Sequence, residues 1–144
     1  MKSKISRTSL LAVSALLLGV ATYGQEVKVR AKVPFDFILD NTKYAAGEYV
    51  IQTAAANTFQ LVIVNEKGNA LGLTRSIPCT TDKVLSPAVQ TRLVFHRISN
   101  TYFLHQLWLE GNSFGRQFPT GPMEIRMARN NTTSKVIVAT DARR

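Results

Sequence analysis

Residues 89–109 read "VQTRLVFHRI" (Val89–Ile98), "SNT" (Ser99–Thr101) and "YFLHQLWL" (Tyr102–Leu109). Branched and aromatic side chains fill two runs of strand length, with three turn-forming residues between them. That is a β-hairpin, and it sets the class of the fold. Its register stays open. A two-residue loop at Asn100-Thr101 pairs Ser99 with Tyr102 and sets His96 opposite His105. A three-residue loop, Ser99 to Thr101, pairs Ile98 with Tyr102 and sends the two histidines to opposite faces.

The same period of two recurs upstream. Val27, Val29, Ala31 and Val33 alternate with Lys28, Arg30 and Lys32, which predicts a strand with one wet face. Pro34 marks an edge or a bend. Phe35, Phe37 and Leu39 resume the alternation, and "DNTK" (Asp40–Lys43) is turn chemistry. After Gly47, residues 48–77 read as three antiparallel strands. "NEKG" (Asn65–Gly68) is the turn between the second and third, closed by a left-handed glycine.

Residues 78–88, "PCTTDKVLSPA", carry two prolines and form the longest loop candidate. "TGPMEIRMARN" offers Gly121 as N-cap, Pro122 at the first helical position and Glu124 in the first turn. This predicts a short helix over 121–129, although Met123, Ile125 and Met127 also alternate as a strand would. "NNTTS" is a loop, and "KVIVAT" (Lys135–Thr140) is a final strand. The expected fold is all-β and mainly antiparallel: a small β-barrel or β-sandwich of about eight strands with one short C-terminal helix. A parallel α/β fold lacks its crossover helices.

The first residues are of another kind. Lys2, Lys4 and Arg7 precede "LLAVSALLLGV" (Leu10–Val20), and small residues at Thr22 and Gly24 fit a peptidase site. This is the layout of a secretory signal peptide over 1–24. The apolar run is about half what a spanning helix needs. The expectation is cleavage near Gly24, a secreted or periplasmic product, and one domain over 25–144 without a transmembrane segment. Cys79 is the only cysteine, so no intramolecular disulfide forms.

The chain has 18 Lys+Arg against 9 Asp+Glu. Without Lys2, Lys4 and Arg7 the balance is still basic. That favours acidic partners such as an anionic glycan or an envelope component. The cations are scattered with no block of five or more, so a solvated surface is the plain reading and no nucleic acid is expected.

Motifs for chemistry are sparse. "GNSFG" (Gly111–Gly115) spells the G-x-S-x-G nucleophile elbow around Ser113. An elbow needs a helix directly after the serine, and Pro119 stops one. It also needs a histidine downstream, whereas His96 and His105 both come before. The stretch reads instead as the turn that reverses the Trp108 strand, with two glycines that permit left-handed backbone. Zinc wants three or four protein ligands, and no HxH, HExxH or cysteine-rich spacing supplies them around His96 and His105. Asp36 and Glu48 could approach across a hairpin, but outward polar residues on alternating strands account for them. Phe35, Phe37, Tyr49, Phe59, Phe95, Tyr102, Phe103 and Trp108 are mostly core in a domain this small. The expectation is therefore no catalytic set, no metal site and no cofactor.

Several segments taken together resemble a known group. They are "VPFDFIL…AAGEYVI" (Val33–Ile51), "RLVFHRISNTYFLHQLW" (Arg92–Trp108), "FGRQFP" (Phe114–Pro119), and the Glu124 segment before "VIVA". The set resembles an uncharacterised family of short secreted β-rich proteins of acidobacterial type. That resemblance implies a β domain and carries over no functional residue. The leading expectation is a secreted, non-catalytic β domain that binds a ligand or cell-envelope component. The alternatives are a small secreted hydrolase, which needs a histidine meeting an acid or a serine at a concavity, and an assembly protein pairing through an edge strand.

Overall fold

The computed structural model describes residues 26–55, 58–80 and 90–142. The predicted signal peptide and most of the 78–88 loop lie outside these residues. In chain order the elements are β1 (Lys28–Val33), β2 (Phe37–Leu39), β3 (Thr42–Tyr44), β4 (Gly47–Thr53), β5 (Gln60–Asn65), β6 (Ala70–Arg75) and β7 (Ile77–Thr80). Then come β8 (Arg92–Ile98), β9 (Thr101–Trp108), β10 (Phe114–Gln117), α1 (Pro122–Ala128), β11 (Thr133–Ala139) and β12 (Asp141–Ala142). Among the described residues no helix is long and apolar enough to cross a membrane.

The strands form two sheets. Sheet A has the order β12-β1-β4-β5-β6. Sheet B has the order β11-β8-β9-β10-β7, with β2 beside β9 and β3 beside β2. All pairings are antiparallel except β2 with β9. The sheets do not close on each other, so the barrel alternative gives way to a sandwich. The strand number exceeds the expected eight. β2 follows the alternation of Phe37 and Leu39, but the turn after it is only Asp40-Asn41, and Thr42 and Lys43, read as turn residues, open the three-residue β3. β7 begins at Ile77 and runs three residues into the predicted loop, to Thr80. Its Pro78 is tolerated because β7 is an edge strand.

The inner faces form one core. β1 buries Val29, Ala31 and Val33 and exposes Lys28, Arg30 and Lys32, as the alternation predicts. Across the sandwich, β8 and β9 contribute Leu93, Phe95, Leu104 and Leu107. Phe95 is fully buried and meets Phe35 and Phe37 edge-on, at ring-centroid distances of 5.1 and 5.6 Å. Phe37 stacks on Tyr44, and Tyr49 closes the cluster edge-on. Most of the aromatic residues are thereby spent on packing.

The turns follow local chemistry. Asp40 and Asn41 both have positive φ, 49° and 63°, which is the two-residue turn that suits a tight hairpin between β2 and β3. Asn65 Oδ1 accepts from the Lys67 and Asn69 amides, and Gly68 closes that turn at φ 86°. Gly121 caps α1 in extended backbone with Pro122 at the first helical position, so the helix reading holds over the strand reading.

Candidate functional sites

The β8–β9 hairpin differs from both registers considered above. Its loop is Ser99-Asn100, with Ile98 opposite Thr101 and Ser99 at φ 55°. His96 therefore faces Phe103. The register then shifts: Phe95 pairs with Leu104, but Val94 pairs with Gln106. His105 is the extra residue of a β-bulge, and its carbonyl accepts from the Phe118 amide at 2.9 Å. A bulge lets two neighbouring side chains share one face. His105 and Gln106 both stand on the outer face of sheet B, beside His96. The two imidazoles stack at a centroid distance of 3.7 Å and 26° between planes. Neither period-two alternation nor loop counting reveals a bulge.

Glu124 completes the cluster. It is the buried residue of α1, 5% exposed, and its Oε1 lies 2.8 Å from His96 Nδ1. One nitrogen from each imidazole and one carboxylate oxygen all lie within 4.8 Å of one another. Burial and the neighbouring His96 push the His105 pKa down to about 4, which keeps that ring neutral. A groove of about 410 Å³, lined by His96, Ile98, Thr120, Glu124, Ile125 and Arg129 among others, opens beside the pair. The sequence reading placed Glu124 in the first turn of a helix but had no means to fold that helix onto His96.

The other sequence candidates have separate fates. β10 follows Ser113 directly, so the strand–turn–helix of a nucleophile elbow is not formed. Gly111 takes φ 77°, but Gly115 lies within β10 and is needed for a different reason. A Cβ there would stand 2.8 Å from Cδ2 of Trp108. Asp36 accepts from the Ala46 amide and binds Lys43 at 3.2 Å, and the first of these contacts above all holds its carboxyl below its ordinary value. Glu48 pairs in register with Lys32 in sheet A. Cys79 packs on Val94 and Trp108, and burial raises its thiol pKa, which is the state of an inert cysteine. Ser99 Oγ is bonded to Asn131. A histidine thus meets an acid beside a concavity, the arrangement the hydrolase alternative asks for, but Cys79 and Ser99 are engaged elsewhere.

A second surface lies on the far side of the sandwich. The outer face of sheet A carries Lys28, Arg30 and Lys32 from β1 and Val50 and Gln52 from β4. β5 adds Val62 and Val64, and β6 adds Leu73. Register places Arg30 beside Val50, Val50 beside Val64, and Val62 beside Leu73. A shallow concavity of about 380 Å³ runs over Lys28, Arg30, Val50, Val62 and Val64. Leu73 is 58% exposed. Among the described residues the ion pairs are Lys43–Asp36 and His96–Glu124; on this face Glu48 stands beside Lys32 in register, while Arg30 and Lys28 stand beside Val50 and Gln52. The alternation of β1 sets these three cations in one row on the outer face.

Comparison with protein-family models, with curated proteins and with solved structures finds no match to this chain.

Proposed function

We propose that this is a non-catalytic domain that acts outside the cytoplasm, after removal of residues 1–24, by docking the outer face of sheet A on an anionic lipid surface of the cell envelope. The kinship with short secreted β-rich proteins of acidobacterial type belongs to the same reading. One observation carries it: Lys28, Arg30 and Lys32 stand in a row beside an open apolar strip of Val50, Val62 and Leu73. Cations seek phosphate-bearing headgroups, and a partly exposed apolar strip gains from contact with the acyl boundary. A glycan site favours aromatic platforms, and the aromatic residues of β4 and β1–β2 point into the core. Anionic lipid is therefore preferred over anionic polysaccharide.

Co-sedimentation tests the reading. The chain is expected to pellet with phosphatidylglycerol-containing vesicles and not with phosphatidylcholine vesicles, and to be released by salt. Each cation near an anionic surface contributes about 1 kcal/mol. Reversing Lys28, Arg30 and Lys32 to Glu should weaken binding by roughly 100-fold or more. As a control for position, Lys135→Glu on sheet B should weaken binding much less than the single reversal Arg30→Glu. Equal binding to both vesicle types, or capture by an anionic polysaccharide with no vesicle binding, overturns the proposal.

A further inference from the structure

We infer that His96, His105 and Glu124 form a binding site for one divalent transition-metal ion of the zinc class, independent of the lipid-docking face. The first ground is the donor set. Two imidazoles and a carboxylate are ligands that zinc and its late first-row neighbours accept, with a fourth position left for water. The second ground is spacing. Ligands about 2.0–2.1 Å from a tetrahedral zinc stand roughly 3.3 Å apart. The three donor atoms already lie within 4.8 Å of one another, and His96 Nδ1 and Glu124 Oε1 are 2.8 Å apart. An ion replaces the proton between them and draws in the neighbouring His105 nitrogen.

The third ground is the cost of the arrangement. A helix packed on a sheet normally buries an apolar side chain, and α1 buries Glu124 while Met123 and Ile125 stay exposed at 42% and 46%. Burying a carboxylate costs free energy that a hydrocarbon of similar size avoids. If holding α1 to β8 were the whole purpose, a leucine would serve. The bulge at His105 adds a second departure from regular structure at the same point. Bulges commonly re-aim a side chain at functional sites. The groove lined by Thr120, Ile125 and Arg129 gives an ion a path in and gives its fourth ligand room. Lys135, paired in register with His96, is the nearby opposing charge.

Isothermal titration of the tag-free chain with Zn²⁺ tests the site, alongside thermal melts and the visible spectrum of the Co²⁺ form. One ion per chain, a raised melting temperature and a tetrahedral-type Co²⁺ band are expected. His105→Gln leaves the His96–Glu124 bond in place, so it separates ligation from anchoring of the helix. It should weaken Zn²⁺ binding by at least the roughly 10–100-fold that loss of an outer metal partner causes. Glu124→Gln should do the same, and Lys135→Gln should strengthen binding. Absence of a one-to-one isotherm in the wild type overturns the inference. So does unchanged affinity in a folded His105→Gln variant, because an adventitious surface site does not depend on that ring. Vesicle binding by the same variants reports separately on the lipid reading.

Discussion

Replacing Gly115 with alanine places a methyl group under the ring of Trp108. The added Cβ would lie 2.8 Å from Cδ2 and Cε2 and 3.0 Å from Cε3. Carbon atoms rest comfortably about 3.5–4.0 Å apart, so the ring has to retreat by roughly 0.5–1 Å. It is poorly placed to do so. Trp108 is 2% exposed, its Nε1 donates to Gln106 Oε1 at 3.2 Å, and the Arg92 guanidinium lies 5.7 Å from the ring centroid. Overpacking of this kind costs about 1–3 kcal/mol. Alanine returns roughly 0.4–1 kcal/mol by restricting the unfolded chain. The net expectation is a loss of about 1–2 kcal/mol. That corresponds to roughly 3–10 °C in Tm for a domain of this size. Trp108 is the only tryptophan in the chain, so urea unfolding followed by its fluorescence reads the local change and the global stability together. Gly115→Ala in a Trp108→Leu background, which has no tryptophan and is followed by circular dichroism instead, should lose most of its cost. A Gly115→Ala protein as stable as wild type, with unchanged emission, refutes the packing argument.

Other consequences follow from the same structure. Phe95→Ala empties the centre of the aromatic cluster and should destabilise the domain by about 3–5 kcal/mol, measured as a fall in the urea midpoint. Gly111→Ala forces a side chain onto φ 77° and should cost about 1 kcal/mol, with Gly111→Asn tolerated better. Stability should also depend on pH through His105. Its ring is neutral in the folded state down to about pH 4, whereas the unfolded ring takes up a proton near 6.5. Below 6.5 the unfolded state binds more protons, so stability is full above 6.5 and falls as pH drops toward 4. Solvent screening of a half-exposed ring reduces the effect to roughly 1–2 kcal/mol. His105→Gln should flatten that part of the curve, and an unchanged slope would place the titration on another group.

The sequence carries the β1 alternation, the Asn65–Gly68 turn, the β8–β9 hairpin and the Gly121-Pro122 helix start, because each is written in side chains close together in the chain. Barrel against sandwich was not legible, since closure depends on which strand ends meet across long separations. The alternation of Phe35, Phe37 and Leu39 carries β2, but β3 and β7 escaped for a local reason: Thr42 and Lys43 read as turn residues, and Pro78 argued against a strand. The candidate metal cluster was hidden more deeply. His105 reaches His96 through a bulge, and Glu124 reaches it through a helix 28 residues away in sequence. The row of Lys28, Arg30 and Lys32 was visible as a strand face. Its apolar neighbours come from β4 to β6 and became visible only with the register of sheet A.

The outer face of sheet A is proposed to meet an anionic lipid surface. Amide chemical-shift mapping with anionic bicelles tests it most directly. The claim predicts perturbations concentrated on residues 28–32, 50–52, 62–64 and 70–75, fading as salt is added. Perturbations confined to α1 and the His96 groove, or none at low salt, would contradict it.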